Sequence, residues 1–233
     1  MNVAVLTAGG VGSRLNNNIP KQFLTVNDVP IIIYTLRQFQ KNKDVDKIIV
    51  ACLEDWKPAL NAYKREYDID KLEWIVNGGE TGAESIVNCL DALKKNLGNE
   101  DVTVIIHDGN RPLVSSDVIK SALLVKKEYG NAIACLPSNE VLLELNNAND
   151  NSSNHSINRD VVRRTQTPHV FSLDDIRDKY SKAMKNGIHP VAPCDAVIIN
   201  NERVYLSEGS ELNFKVTTQG DLKILRALIE SGV

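Results

Sequence analysis

An apolar, β-branched run, Val3 to Leu6, passes without a break into Thr7-Ala8-Gly9-Gly10-Val11-Gly12-Ser13-Arg14, and Pro20-Lys21-Gln22 follows soon after. This junction constrains the fold more than any other stretch of the chain. A strand that is apolar throughout, with no polar alternation, is buried on both faces as in a parallel sheet, and parallel strands need crossover connections. Glycines at 9, 10 and 12 remove the β-carbons that would hold a phosphate or a flat base away from backbone N–H groups. Arg14 and Lys21 bring two cations to the same loop. The pattern is neither G-x-x-x-x-G-K-[ST] nor G-x-G-x-x-G. An ordinary strand-to-helix turn with two solvated cations would also use such glycines, but the fixed offsets of the cations and Pro20 before Lys21 favour a polyanion site.

The same theme recurs along the chain. Residues 30–39 have helical spacing, with Asp28 as the expected N-cap. Lys47 to Leu53 reads as a second buried strand, Trp56 to Tyr67 as a polar surface helix, and Leu72 to Val76 as a short strand ending at Asn77-Gly78-Gly79. Residues 81–95 form a helix with Ile86, Leu90 and Leu93 on one face, and Asp101 to His107 is a strand that runs into Asp108-Gly109-Asn110-Arg111-Pro112. Alternating strands and helices imply right-handed crossovers and an α/β fold: a doubly wound, mainly parallel, Rossmann-like sheet in one domain spanning 1–233. Ligands in such sheets sit beyond the carboxyl ends of the strands, which gathers Gly9, Gly78 and Asp108 at one crevice. Gly78-Gly79 with Ser85 suits the edge of a base, although a plain loop and a helix serine would read the same way. Asp108 suits Mg²⁺, and Arg111 a phosphate or sugar hydroxyl; the alternative is an Asp-Arg pair that merely holds a turn. His107 reads as a strand-end histidine with a structural hydrogen bond rather than a general base.

Beyond Asn139, the apolar Val141, Leu142, Leu143 and Leu145 precede an Asn- and Ser-rich run and then Ile157 to Val162. Two extended pieces with a polar tip read as a protruding hairpin over 139–160, and its exposed leucines call for cover by a second protomer. Downstream, Gln166 to Phe171 leads into a helix from Ser172 to Lys185, and Asn213 to Thr217 reads as a strand whose Lys215 would point at the crevice, although a solvated lysine on an edge strand would read the same way. Thr218 caps a last helix bearing Leu222, Leu225 and Leu228. A net charge of -3 argues against a nucleic-acid or membrane surface. Four widely spaced cysteines argue against zinc and disulfide frames and fit a reducing cytoplasm. No apolar run approaches the ~20 residues of a membrane span, so export and insertion are not expected.

The run A-G-G-x-G-x-R followed by P-K-Q resembles the signature of the CTP-dependent cytidylyltransferases of polyol phosphates, the methylerythritol-phosphate and ribitol-phosphate enzymes. The resemblance extends nearly end to end, through Asn77-Gly78-Gly79, Ser85, His107 to Pro112, Gln166-Thr167-Pro168, Cys194-Asp195-Ala196 and Asn213 to Thr217. It implies transfer of a cytidylyl group from CTP to a polyol phosphate with release of pyrophosphate. Arg14, Lys21 and Lys215 would be the catalytic cations. Ala8, Gly9, Gly10, Gly12, Gly79 and Ser85 would hold the nucleotide, and Asp108 would carry Mg²⁺. Arg111, Thr167, Asp195 and a partner's Arg159 would hold the acceptor, the last across a homodimer joined by the arm; Arg163 and Arg164 compete with Arg159 for that role. The chain departs from the family pattern at Gly82, Glu140-Val141, His169 and Cys194, mostly on the acceptor side. The competing classes are a sugar-phosphate nucleotidyltransferase or glycosyltransferase using another nucleotide, which would be expected to show an Asp-x-Asp motif, and an inactive nucleotide-binding relative, which would be expected to have lost Lys21 or Lys215.

Overall fold

A computed structural model describes residues 1–10 and 19–232. In chain order the strands and helices are β1 (Asn2–Ala8), β2 (Thr25–Val26), β3 (Val29–Pro30), α1 (Ile31–Lys41), β4 (Lys47–Cys52), α2 (Lys57–Glu66), β5 (Leu72–Asn77), α3 (Gly82–Leu97), β6 (Thr103–Asp108) and α4 (Ser116–Tyr129). They continue with β7 (Ala132–Pro137), β8 (Leu142–Glu144), β9 (His155–Ile157), β10 (Arg163–Ser172), α5 (Leu173–Lys185), α6 (Pro193–Ile199), β11 (Leu206–Glu208) and α7 (Gln219–Glu230). Seven strands form the central sheet in the order β11-β7-β10-β6-β1-β4-β5. β1 pairs in parallel with β4 and β6, β4 with β5, and β7 with β11. β10 alone runs antiparallel, between β6 and β7.

The uninterrupted apolar character of β1 has the expected cause. Ala4, Leu6 and Ala8 face one core layer, with α1, α2 and α4; Val3 and Val5 face the other, with α3, α5 and α6. Both faces are dry, so neither tolerates alternation. α3 begins where the sequence places it, since Thr81 accepts the Glu84 amide at 3.1 Å and caps the first turn. Thr218 does the same for α7.

Two local expectations are overturned. Asp28 does not cap α1. It forms with Asn27 the two-residue turn of the β2–β3 hairpin, both residues at positive φ (48° and 62°), and Pro30 occupies the cap position without a side-chain bond. Residues 213–217 are not a strand either. Phe214 and Val216 alternate with Lys215 as strand residues do, but among the described residues no strand pairs with this stretch, which is an irregular segment laid over the carboxyl end of β6.

β8 and β9 pair as a separate two-stranded hairpin, in which Leu142, Leu143 and Glu144 face Ile157, Ser156 and His155. Val141, Leu143 and Leu145 stay exposed, as does Val161 in the turn at the base. The second extended piece lies earlier than the sequence suggests: the paired strand is His155–Ile157, and the stretch from Ile157 to Val162 holds instead the 3-10 turn Arg159–Val161 before the chain enters β10.

α5 carries a buried lysine. Lys179 bonds Asp175 at 2.7 Å and, across the packing, Glu202 at 2.8 Å, and so joins α5 to the segment that follows α6. Its amine has lost most of its water and depends on these two half-exposed carboxylates. Lys179→Ala is expected to lower stability by about 2 kcal/mol, less than the loss from a fully buried pair because both carboxylates keep solvent. Urea denaturation of the two proteins measures it; an unchanged midpoint would show that the pair contributes nothing.

Candidate active site

The carboxyl ends of β1, β5 and β6, the middle of β10 and the amino end of α6 enclose a crevice of about 400 Å³. Its lining includes Gly9, Gly10, Lys21, Gly79, Ser85, Asp108, Arg111, Thr167, His169 and Lys215. The convergence comes from the topology: β1 is central, and its neighbours β4 and β6 run parallel to it, so their turns open on the same edge.

At one end the wall is backbone. The Gly78 amide bonds the Cys52 carbonyl at 2.8 Å, and the Gly79 amide donates to Ser85 Oγ at 3.0 Å. Ser85 Oγ in turn donates to the Thr81 carbonyl at 3.0 Å. The serine on which base recognition was expected is therefore also the clasp that locks the Gly78-Gly79 loop onto α3, with a single lone pair left for a ligand. A β-carbon on Gly9 would stand 3.1 Å from that hydroxyl, and one on Gly79 would overlap Glu84. The Ala8 carbonyl is taken by the Gln22 amide. Gly12 and Arg14 lie outside the described residues.

At the floor the wall is charge. Asp108 accepts from Lys215 Nζ at 2.9 Å on one oxygen and from Arg111 Nε at 2.9 Å on the other. Burial raises the carboxyl's proton affinity, but Lys215 and Arg111 outweigh it and hold the group well below the usual carboxylate range, so Asp108 is ionised. Lys21 lies against Gly10, on the same wall. His107 Nε2 meets the Arg111 carbonyl at 3.2 Å, and burial pushes its pKa down to about 4. A neutral, hydrogen-bonded histidine is the structural residue that the sequence suggested.

At the far end, Thr167 Oγ1 accepts from the Asp108 amide at 3.1 Å, beside the cis Thr167-Pro168 bond. His169 is buried in the same wall, with its pKa pushed down to about 4 by desolvation. Asp195 Oδ2 accepts from the Val191 and Ala192 amides at 3.1 and 2.9 Å and so caps α6. This carboxylate shapes the loop at the crevice mouth, and its oxygens are partly spent on that task. Arg159 does not join the crevice of its own chain. It sits at the base of the hairpin, where Nη1 donates to the Asn139 carbonyl at 3.0 Å. Of its two competitors, Arg164 pairs with Glu211 and Arg163 bonds backbone carbonyls of its own turn.

Sequence reasoning gave no role to four polar residues that hold this site together: Gln22, Asn110, Gln166 and Asn213. All are buried, and each lies inside a quoted motif or directly beside it. Among the described residues, no cluster of three or more His, Cys, Asp or Glu side chains is placed to hold a metal. Asp108 fits Mg²⁺ only as one ligand beside the oxygens of a bound triphosphate, the usual manner in which this ion meets phosphates.

A cationic floor, a glycine-walled pocket and a doubly wound sheet define a nucleotidyltransferase-type site. The family model described as IspD, 2-C-methyl-D-erythritol 4-phosphate cytidylyltransferase, matches residues 2–231, and the chain belongs to that family. A ribitol-5-phosphate cytidylyltransferase of Lacticaseibacillus paracasei is 35% identical over 98% of both chains. A 2-C-methyl-D-erythritol 4-phosphate cytidylyltransferase of Clostridium novyi is 32% identical over 99% of this chain and 97% of its own. The solved 4-diphosphocytidyl-2C-methyl-D-erythritol synthase of Anaerococcus prevotii shares the fold with a TM-score of 0.84 at 23% identity, covering 98% of this chain and 96% of that one.

Proposed function

We propose that the protein transfers the cytidylyl group of CTP to the phosphate of a small polyol phosphate, releasing pyrophosphate and leaving a CDP-polyol. The observation that carries this reading is the floor of the crevice, where Lys215 and Arg111 flank Asp108, with Lys21 lining the same crevice beside Gly10. An acceptor phosphate oxygen attacks the α-phosphorus, one P–O bond forms, and the bond to the leaving pyrophosphate breaks. A phosphate monoester is largely dianionic at neutral pH, so its oxygen needs no proton removed, in keeping with a site whose histidines are neutral and hydrogen-bonded or buried. Lys21 and Lys215 meet the negative charge that builds on the phosphates, and Arg14 is assigned to the same task from its motif. Mg²⁺, held by Asp108 and the triphosphate, would neutralise phosphate charge. Arg111 and Thr167 orient the acceptor, together with a partner's Arg159 brought across by the arm in a homodimer. The four free, buried cysteines support a reducing cytoplasm as its compartment. No helix among the described residues is long and apolar enough to cross a membrane.

The glycine wall, which excludes a β-carbon at Gly79 and leaves one at Gly9 tight against Ser85, supports a flat, close-fitting base site, and the family name supports cytosine. CTP is expected to outperform UTP and GTP by about 10-fold or more in kcat/KM, because a buried group left without its partner costs about 1–3 kcal/mol. Pyrophosphate release from each nucleotide against ribitol 5-phosphate, methylerythritol 4-phosphate and glycerol 3-phosphate tests this. Ribitol 5-phosphate is the first acceptor to try, since relatives named for it match at 34–35% identity against 32–34% for those named for methylerythritol phosphate. Faster turnover with UTP or GTP would overturn the reading.

A further inference from the structure

Lys215 rides on a segment with no ladder to hold it, so the backbone groups around it must find partners elsewhere. The partners come from the turn after β6. The Val216 amide donates to the Asn110 carbonyl at 2.9 Å, and Asn110 Nδ2 donates back to the Val216 carbonyl. One residue thus grips both polar groups of the residue next to Lys215. Arg111 Nη1 bonds the Asn213 carbonyl at 2.8 Å, and Asn213 Nδ2 bonds the Thr167 carbonyl at 2.7 Å, fixing the segment two residues before the lysine. Asn110 is itself on firm ground. Its neighbour Gly109 donates to the Thr7 carbonyl of β1 at 3.0 Å and accepts from Thr35 Oγ1 of α1 at 2.9 Å. A β-carbon on Gly109 would lie 2.9 Å from that same Thr7 oxygen, so the turn is pressed against the sheet.

The Val216 side chain is buried with Val26, Ile31 and Leu225. This contact fixes the depth of the segment but not its rotation about its own axis. The paired bonds of Asn110 fix the rotation, and with it the direction in which the Lys215 side chain leaves the backbone. We propose that Asn110 is a positioning residue for the transfer: its two-way clasp on Val216 aims Lys215 at Asp108 and at the phosphates that come to lie there. The inference rests on the reading of Lys215 as a transfer cation, but the clasp can be tested without it.

Asn110→Ala keeps the backbone bond and deletes the side-chain one. Its kcat is expected to fall about 10-fold with the KM for CTP within about 2-fold, since misaiming a group costs rate more than binding. In a Lys215→Ala background the same substitution is expected to lower kcat no further, because the residue it aims is gone. An equal loss in both backgrounds, or none with Lys215 present, overturns the assignment. Acetylation of Lys215 under limiting reagent, read by peptide mass spectrometry against the exposed lysines, tests the clasp whatever the enzyme turns over. It is expected to rise several-fold in Asn110→Ala as the ion pair with Asp108 loosens, and an unchanged rate overturns the clasp. A Lys215→Ala protein with normal kcat would sink the catalytic reading instead, leaving the acetylation result to decide the clasp. Asn110→Ser, whose hydroxyl is too short to reach the Val216 carbonyl, serves if the alanine variant does not fold; failure of both to fold would make Asn110 a folding determinant and refute the proposal.

Discussion

Lys215→Ala is expected to lower kcat by about 100-fold or more while the KM for CTP changes little. The ground state offers Lys215 a partner already, the Asp108 carboxylate at 2.9 Å, so a bond to substrate phosphate in the resting complex would largely replace one it had. Charge that builds on the phosphates in the transition state has no such counterpart, and only that difference accelerates the chemistry. Lys21→Ala, beside Gly10 in the same crevice, should behave alike. Initial rates of pyrophosphate release over a matrix of CTP and acceptor concentrations separate the two parameters. A variant with near-normal kcat and a raised KM for CTP would be missing a binding residue only, and the cation would lose its place in the mechanism.

Mixing an inactive Arg159→Ala chain with an inactive Lys21→Ala chain is expected to restore activity. Arg159 stands at the base of the hairpin, outside its own crevice, bonded to the Asn139 carbonyl, while Val141, Leu143 and Leu145 beside it are exposed and a two-stranded hairpin is marginal alone. If the arm lies on a second copy of the chain and completes that copy's acceptor end, each hybrid dimer has one site with both residues intact. Statistical exchange then returns about a quarter of the wild-type rate, half the dimers being hybrids and half their sites whole. Labelled subunits that exchange without any gain in rate would mean that Arg159 acts within its own chain or not at all, and a sedimentation coefficient of a monomer would remove the arm's proposed partner.

How much of this was legible in the sequence depended on the range of the interaction responsible. Val3 to Leu6, Lys47 to Cys52 and the run into Asp108 announce buried parallel strands because burial on both faces leaves its mark on every residue. The rule that ligands gather at strand ends then put Gly9, Gly78 and Asp108 together from sequence alone. Asp28 was misread because an Asp before a helical run and an Asp in a hairpin turn look the same until the φ angles are known. The stretch 213–217 was misread because the apolar alternation of Phe214 and Val216 says nothing of whether a neighbouring strand is present; Val216 is buried and Phe214 only half-buried. Asn110 and Asn213 were visible inside their motifs but silent: their partners lie 106 and 46 residues away, and an asparagine's usefulness depends wholly on what the fold brings within 3 Å of it.

The contact of Ser85 with Gly9 and Gly78 has a consequence for how a family built on this plan can diversify. At the nucleotide end, adding a single carbon to Gly9, Gly78 or Gly79 drives it toward a hydroxyl, a backbone atom or a glutamate already in place, and Gly109 is closed off in the same way by the Thr7 carbonyl. Substitutions at Gly79 and Gly109 force a neighbour to move, and those at Gly9 and Gly78 press on Ser85 and on the facing glycine. The end proposed for the acceptor is walled by side chains, among them Thr167, His169 and the loop before Pro193, where one residue can be exchanged for another at the cost of a local contact. Gly82 at the rim has open space around its missing carbon. Mutational freedom is therefore distributed unevenly within a single crevice, and descendants of such a chain would be expected to keep their nucleotide while acquiring new acceptors.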